Sequence, residues 1–262
     1  MIRALYSAAT GMNAQETNID VISNNLANVN TVGFKKGRAD FQDLMYQYVV
    51  EPGAPTSQTT NNPTGVQVGL GVKTSSVQKV FTQGDLSSTG NQLDVAIEGD
   101  GFFQIQRPDG TFAYTRSGSF QLDQTGQLVT SDGYIVAPGI TVPQDSLGIT
   151  IAQDGTVTVK QPNNAAPTQV GQLTAVRFPN NAGLRALGQN LYEETQASGT
   201  PVNGIFNQQG FGRLNQGFLE SSNVSVVEQV VNMITAQRAY EASSKGITTA
   251  DEMLNQVINL KR

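Results

Sequence analysis

Cysteine, histidine and tryptophan are absent from the 262 residues of this chain. Without cysteine, neither a disulfide nor a thiolate-bound metal can form, so the fold must hold together without covalent cross-links. Without histidine and cysteine, no Ser-His or Cys-His catalytic pair can be assembled. Zinc would have to bind carboxylates alone, which it does not favour. These absences leave few routes to catalysis.

Charged residues are also scarce, and acidic ones outnumber basic ones. The chain has 16 Lys+Arg against 21 Asp+Glu, which gives a formal net charge of −5. We therefore expect no nucleic-acid partner, since no excess of cations is available to displace its counterions. The densest basic cluster is Lys35, Lys36 and Arg38, and we expect it to be a solvated helix end.

Long hydrophobic runs are missing as well. No run of 18 apolar residues exists, so no helix is expected to span a membrane. Arg3, Ser7 and Thr10 interrupt the first residues, which leaves no apolar core for a secretory signal. We therefore expect either a cytoplasmic location or export without a cleaved signal peptide.

Both ends of the chain carry apolar residues at alternating steps of three and four. That spacing puts them on one narrow stripe of a helix, as in a coiled-coil seam. Small or polar members such as Ala8, Gln15 and Ser244 would leave a two-helix pair thinly packed. We therefore favour packing between copies of the chain, and an intrachain hairpin stays open. The predicted subunit-interface residues are Leu5, Met12, Ile19, Ile22, Leu26, Val29, Val226, Val230, Met233, Tyr240, Ile247, Leu254 and Ile258.

The two helices have predicted ends. Gly33 is expected to stop the first helix, and asparagines crowd its last turns. Those asparagines lower helix propensity by about 2–3 kcal/mol in total, so the helix should depend on packing. Asn223 or Ser225 is expected to cap the last helix, with Glu228 completing a capping box after Ser225.

The pattern between residues 66 and 219 changes to short alternating runs broken by glycine. Four Asp-Gly pairs, beginning at Asp100, Asp109, Asp132 and Asp154, separate such runs, and Asp-Gly favours tight hairpin turns. Regular short strands predict an antiparallel sandwich or barrel-like domain. Its expected core includes Phe102, Phe103, Phe112, Tyr114 and Phe120. The predicted strands are 95–97, 102–106, 112–115, 120–122, 127–130, 134–136, 149–152, 156–159 and 173–178.

The chain is therefore predicted to be an α+β protein, with terminal helices that form a coiled-coil domain and with an antiparallel β-rich central region. We assign residues 1–34 and 222–262 to the helical domain, 35–85 to an extended or β connecting domain, and 86–221 to a β-rich outer domain. Residues 51–65 contain three prolines and many polar residues. Composition alone would make this stretch a surface linker, because proline is excluded from helix interiors and central strands.

Carboxylates are the remaining candidates for chemistry. A pair of aspartates in the central region could in principle serve a glycosidase, although Asp before Gly more often has a local turn role. No stretch matches an EF-hand loop, and Gly69-Leu70-Gly71 lacks the third glycine of a dinucleotide fingerprint. We therefore predict no enzyme activity, no cofactor, no metal site and no small-molecule substrate. An enzyme using paired carboxylates and a monomeric binding module remain the alternatives.

The two terminal segments carry a resemblance. The segment from Ser7 to Lys36, SAATGMNAQETNIDVISNNLANVNTVGFKK, closely resembles the amino-terminal signature of flagellar rod and hook proteins. The closing segment, SNVSVVEQVVNMITAQRAYEASSKGITTADEMLNQVINL, resembles the carboxy-terminal segment of the same family. The interior stretches DVAIEGDGFFQI, YTRSGSFQLDQTGQLVTSDGY and GQNLYEETQASGTP are similar to distal rod members of this family. The likeness covers nearly the whole chain.

The resemblance implies an axial structural protein of the bacterial flagellum. Members of the family pass unfolded through a type III export channel and polymerise helically into a tube that transmits torque. The implied partners are copies of the chain, proximal rod and hook proteins along the axis, the surrounding P- and L-ring proteins, and the export apparatus. The implied location is the periplasm-spanning rod of the basal body. A proximal rod or hook protein is the alternative within the family.

The resemblance also changes the interpretation of the proline-rich stretch. Residues 45–65, with YQYVVEPGAPT at their centre, resemble an insertion of distal rod members that braces subunits against bending. The insertion is therefore expected to span residues 46–64 and to become ordered on assembly. Its predicted rigidity residues are Tyr46, Tyr48, Pro52, Pro55 and Pro63.

Overall fold

A computed structural model describes residues 2–53, 55, 62–162 and 166–260. Two compact units are present, each made from separate segments of the chain. The first, the helical unit, comprises residues 1–27, 37–78 and 225–262, and the second, the β unit, comprises residues 28–36 and 79–224. Terminal helices and an antiparallel β-rich centre confirm the predicted α+β class. The coiled-coil geometry and the three-domain division stay predictions.

The helical unit contains two long helices and two short β pairs, of which the β2–β3 pair is antiparallel. In chain order its elements are α1 (Ile2–Ala27), β1 (Gly37–Asp43), β2 (Tyr46–Val50), β3 (Val66–Gly69), β4 (Val72–Lys79) and α2 (Val226–Leu260). Strand β1 pairs with β4, and β2 pairs with β3. Helix α1 packs against α2. Among the described residues, no helix is long and apolar enough to cross a membrane.

Helix α1 ends at Ala27, well before Gly33, so the predicted end of this helix is wrong. The chain turns at once, with the Thr31 N–H donating to the Asn28 carbonyl at 3.2 Å. Low helix propensity of the crowded asparagines explains the early end. Gly33 has a different role: its φ is +70°, and an added Cβ would lie 2.7 Å from the Ser117 backbone nitrogen.

The β unit is built from short strands in several antiparallel sheets. The largest has nine strands, in the order β16-β17-β8-β7-β11-β10-β9, with β15 joining β7 and β18 joining β15; β12-β13-β14 form a smaller sheet, and β6 pairs with β19 and β5 with β20. The strands are β5 (Leu86–Ser88), β6 (Val95–Glu98), β7 (Phe102–Gln106), β8 (Phe112–Thr115), β9 (Phe120–Leu122), β10 (Leu128–Thr130), β11 (Ile135–Val136), β12 (Gly148–Ile151), β13 (Thr156–Lys160), β14 (Thr168–Gln172), β15 (Thr174–Arg177), β16 (Arg185–Gly188), β17 (Leu191–Glu193), β18 (Val202–Ile205), β19 (Arg213–Gln216) and β20 (Phe218–Glu220). A short 3-10 helix spans Asn181–Gly183.

Three of the four Asp-Gly pairs form the predicted hairpin turns. The pairs at Asp109, Asp132 and Asp154 join β7 to β8, β10 to β11 and β12 to β13. The prediction is wrong at Asp100-Gly101, which carries the chain from β6 in one sheet to β7 in another. The Asp100 carbonyl accepts a hydrogen bond from the Gly212 N–H at 2.7 Å. This pair therefore serves a change of sheet.

Aromatic and branched side chains fill the core of the β unit. The ring of Phe103 meets those of Phe120 and Phe206 at centroid distances of 5.0 and 5.8 Å. Such tilted and edge-to-face contacts add to the stabilisation that burial provides. Phe102, Phe103, Tyr114 and Phe120 are buried, as predicted. Phe112 is 46 % exposed, against the prediction, because it lies opposite Gln106 at the turn end of the β7–β8 hairpin.

Candidate functional site

The candidate functional site is the surface of the helical unit, because the predicted interface residues of α1 and α2 lie there. Those on α1 follow a consistently shielded stripe, whereas those on α2 differ in exposure, and Val29 lies past the end of α1. Ile22 is buried; Leu5, Met12, Ile19, Leu26, Val29, Met233, Ile247 and Leu254 are half-buried; Val226, Val230, Tyr240 and Ile258 are exposed.

The seam between α1 and α2 is lined by small side chains. A Cβ added to Gly11 would lie 3.2 Å from Ser243 Oγ, so the two helices approach closely there. Ala14 of α1 and Ala236 and Ala250 of α2 are buried. The intrachain pairing that the sequence left open is therefore present in the structure. Packing between copies stays a prediction.

The large apolar residues of α2 are mostly outside that seam. Val227, Val231 and Ile234 are exposed, Val227 by 75 %. Their spacing of four and three residues places them on one face of the helix, which we call the outward stripe. Exposed apolar stripes of this kind mark interaction surfaces.

The apolar pattern did not predict the outward stripe, because it assigned the inner face of α2 to the largest side chains. The residues of α2 that lie towards α1 are smaller and recur every seven positions: Gln229, Ala236, Ser243 and Ala250. This seven-residue spacing is the signal that could have identified the inner face.

The predicted rigidity insertion begins in a two-stranded hairpin of β2 and β3. Tyr46 lies opposite Gly69 and Tyr48 opposite Gln67. Both tyrosines are exposed, as are the neighbouring Met45, Val49 and Val66. Pro52, Pro55 and Pro63 are exposed too, while positions 54 and 56–61 of the predicted insertion lie outside the described residues. The hairpin therefore presents an apolar and aromatic surface.

Lys35 is 0 % exposed, so the prediction that its basic cluster is a solvated helix end is wrong for this residue. Its Nζ lies 2.5 Å from Glu220 Oε1 and donates to the Thr82 carbonyl at 2.7 Å. Arg116 Nε lies 3.1 Å from Glu220 Oε2, close enough for an ion pair but without hydrogen-bond alignment. Two cations thus share one buried carboxylate inside the β unit.

Burial and charge oppose each other in this network. Burial lowers the pKa of the Lys35 ammonium, and the charge of Glu220 counteracts part of that effect. The pKa of Arg116 is also lowered by burial, against the attraction of Glu220. Tyr192 has a pKa raised to about 12 by burial and by the charge of Glu220. No local sequence pattern predicts this contact, because Lys35 and Glu220 are separated by 185 positions.

Asn223 does not have the capping role that was one of its two predicted options. Its Oδ1 accepts the Lys36 N–H at 2.7 Å, and its Nδ2 donates to the Val80 carbonyl at 2.8 Å. These contacts hold the segments that enter and leave the β unit. Ser225 directly precedes α2, and its carbonyl accepts the Gln229 N–H at 3.0 Å.

The aspartates considered for catalysis have local roles where their contacts are seen. The Asp109 carboxylate accepts hydrogen bonds from the Thr111 N–H and hydroxyl, and Asp154 does the same with Thr156. These hydrogen bonds lower the pKa of both carboxyls. Within the described part of the chain, no group of three or more acidic, histidine or cysteine side chains could hold a metal ion.

Family models match three parts of the chain. Residues 5–35 match the flagella basal body rod protein model, and residues 96–159 match the D1 domain model of the flagellar hook protein FlgE/F/G group. Residues 215–260 match the C-terminal model of the flagellar basal body rod FlgEFG proteins. These regions include both terminal helices and a large part of the β unit. The class of protein is therefore a flagellar axial structural protein.

Relatives that align over nearly the whole chain indicate which member of this class it resembles. The flagellar basal-body rod protein FlgG of Borreliella burgdorferi is 52 % identical, with all of both chains covered. FlgG of Buchnera aphidicola from Acyrthosiphon pisum is also 52 % identical, over 99 % of this chain and 100 % of its own. FlgG of Bacillus subtilis is 43 % identical over the whole of both chains. The chain belongs to the flagellar basal-body rod protein family, as a distal rod structural protein located in the basal body.

Proposed function

We propose that this protein polymerises helically with copies of itself into a rigid hollow shaft, which transmits torque and lets exported subunits pass. The observation that carries the proposal is the outward stripe of α2. Helix α1 covers the small-residue face of α2 and leaves Val227, Val231 and Ile234 exposed. Burial of apolar area favours association. A patch that binds a different patch on the next copy builds an open helical filament when the rotation between copies does not close into a ring.

The predicted interface residues have two roles in this proposal. Val226, Val230, Tyr240 and Ile258 are exposed and can contact another copy directly. The half-buried residues of the same set can shape the contact and complete their burial when further helices pack beside them. We propose that residues 1–34 and 222–262 form the packing domain of the polymer, 35–85 a connecting domain, and 86–221 an outer domain.

Sedimentation of the purified full chain at rising concentration tests the proposal. The wild-type chain should form large assemblies, and the combined substitutions Val227→Ser, Val231→Ser and Ile234→Ser in the outward stripe should keep it monomeric. The matched control is Leu187→Ser, Val202→Ser and Ile205→Ser, three exposed apolar positions of the β unit. A wild-type chain that stays monomeric throughout would support the binding-module alternative. Equal loss of assembly in both variants would remove α2 as the interface.

We further propose that the insertion at residues 46–64 stiffens the shaft. Tyr46 and Tyr48 are exposed on a two-stranded hairpin, where their rings can pack on a neighbouring copy. Aromatic side chains are enriched in protein interfaces because they bury large areas at low entropic cost. The three exposed prolines restrict the backbone around the same site.

Deletion of residues 46–63 should give a more flexible, hook-like tube. Electron micrographs of the assembled variant would measure the curvature and bending of the tube. Tyr46→Ser with Tyr48→Ser should act in the same direction, and Phe112→Ser serves as control, since Phe112 is an exposed aromatic residue of the β unit. Unchanged rigidity of the deletion variant would refute the stiffening role.

The remaining assignments follow from the family. We propose that the shaft spans the periplasm and contacts proximal rod and hook proteins along its axis and P- and L-ring proteins around it. The chain is proposed to reach this place through the flagellar export apparatus without a cleaved signal peptide. The proposed role is structural and includes no catalysis; turnover lost on changing one aspartate pair would instead support the enzyme alternative.

A further inference from the structure

The seam between α1 and α2 has little to fix one alignment of the two helices. Gly11 faces Ser243, and a Cβ added to Gly246 would lie 3.8 Å from the Cβ of Ala8. Helix pairs are normally held in register by large knobs that fit specific holes. Glycine, alanine and serine supply few such knobs, so this seam could accept more than one alignment.

A polar pair, Asn25 with Gln229, lies within the small-residue seam. Asn25 is 2 % exposed and Gln229 is 4 % exposed. Asn25 Nδ2 donates to Gln229 Oε1 at 3.3 Å and to the Gly37 carbonyl at 2.9 Å. Asn25 Oδ1 accepts the Gly37 N–H at 2.7 Å. A single carboxamide therefore connects α1, α2 and the first residue of β1.

All these contacts belong to one antiparallel register. Two heptads back along α1 from Asn25 is Gly11, and two heptads forward along α2 from Gln229 is Ser243, its observed neighbour. The layers that lie at seven-residue steps from the Asn25–Gln229 pair have a small residue on at least one side. The layers that follow from Asn25 with Gln229 are Asn18 with Ala236, Gly11 with Ser243, and Ala4 with Ala250.

The longer α2 leaves room for a slip. In the observed register α1 lies beside the first part of α2, which continues to Leu260. Moving α1 one heptad along α2 would keep its full length covered and place Gly11 opposite Ala250. It would also place Asn25 opposite Ala236, where its amide would lose the Gln229 oxygen. A buried donor without an acceptor is costly, so the slipped register is disfavoured at this layer.

We propose that the Asn25–Gln229 pair is a register pin, which selects one alignment of α1 on α2 from those that the small-residue seam accepts. Buried polar residues can specify register in helix pairs in this way. The pin also fixes which stretch of α2 carries exposed apolar residues beside α1. The contact of those exposed residues with another copy rests on the proposed function, whereas the selection of one register by the pin does not.

The absence of cysteine allows disulfide trapping in the full chain. Gly11→Cys with Ser243→Cys reports the observed register, since the two Cβ positions are 4.0 Å apart, within the range of disulfides. Gly11→Cys with Ala250→Cys reports the register slipped by one heptad. Under mild oxidation, the first pair should cross-link within single chains, and the second should remain reduced.

Substitution of the pin should change this selectivity. Gln229→Leu should raise cross-linking of the slipped reporter from background to a yield comparable with that of the in-register reporter. Gln237→Leu is the matched control, because Gln237 is an exposed glutamine of the same helix, and it should leave both yields unchanged. Retention of the wild-type selectivity in Gln229→Leu would overturn the proposal.

A gain-of-function variant distinguishes a change of register from simple unfolding of the helices. Gln229→Leu combined with Ala236→Gln moves the polar partner by one heptad, so the Ala250 reporter should now cross-link in preference to the Ser243 reporter. No switch of preference would overturn the register pin. Equal trapping of both reporters in the otherwise unchanged chain would also overturn it, as would cross-links that form only between two copies on non-reducing electrophoresis.

Discussion

The β unit and the helical unit differ in the size of the side chains that they bury. In the β unit, large side chains such as Phe103, Phe120 and Phe206 are almost fully buried. In the helical unit, the seam buries alanines such as Ala14 and Ala236, and larger residues such as Val227 and Val231 remain exposed. Burial contributes about 25 cal/mol for each Å² of apolar area, so most of the stabilisation available to the β unit is already used within one chain. The helical unit keeps apolar area for association.

The largest effect is expected in the aromatic core. Phe103→Ala should lower the free energy of unfolding of the β unit by about 3–5 kcal/mol, because it removes a fully buried ring and leaves a cavity. Denaturant unfolding followed by near-UV circular dichroism would measure it. Phe112→Ala, at an exposed ring, should have a much smaller effect. Similar losses in both variants would contradict the assigned core.

A loss of about 3 kcal/mol is expected for Glu220→Gln, since it leaves the buried cations Lys35 and Arg116 without the carboxylate that they share. Glu98→Gln is the matched control, because Glu98 pairs with Arg213 at the surface, and exposed ion pairs contribute little. The midpoints of urea unfolding should therefore separate the two variants. Equal midpoints would show that the buried network does not stabilise the β unit.

The helical unit should be less sensitive to loss of an apolar side chain. Ile22→Ala should cost about 2 kcal/mol, the lower end for buried aliphatic residues, because it removes one buried aliphatic side chain and leaves a cavity. Helical circular dichroism against denaturant would measure it. Val227→Ala should leave the monomer unchanged and weaken assembly. A monomer destabilised equally by both substitutions would place Val227 inside the unit.

The smallest effect is expected in the stability that the hairpin turn at Asp154 provides at acid pH. Hydrogen bonds from Thr156 hold the pKa of Asp154 below its ordinary value of 3.8. The stabilisation is therefore fully present above that ordinary value and is lost as pH falls through the lowered one. Asp154→Asn should flatten the acid limb of a plot of unfolding midpoint against pH. An unchanged acid limb would exclude this contribution.

Local patterns in the sequence predicted only part of the strands of the β unit, those whose signal lies within a few residues, and they missed β5, β14 and β16 to β20. Alternation and Asp-Gly turns identified β7, β8 and β9 with their observed limits. The change of sheet at Asp100 depends on its contact with Gly212, which no local pattern contains. The same reason hid the contact between Lys35 and Glu220, two charged residues far apart in the sequence.

The candidate surface was predicted only in part. Apolar spacing correctly indicated helices at both ends. Ile22 of the predicted stripe is buried within one chain, and its contact with another copy stays a prediction. Apolar spacing did not identify the inner face of α2, because the residues that lie towards α1 there are alanine, serine and glutamine. Small and polar side chains carry little hydrophobic periodicity, so the predicted stripe on α2 followed the larger valines instead.

An averaged electron-microscopy image of polymer grown from the purified full chain tests the central claim most directly. Our account predicts a hollow tube in which α2 of one copy packs through Val227, Val231 and Ile234 on helices of its neighbours. A tube in which these side chains face solvent, with contacts made by the β unit alone, would contradict it.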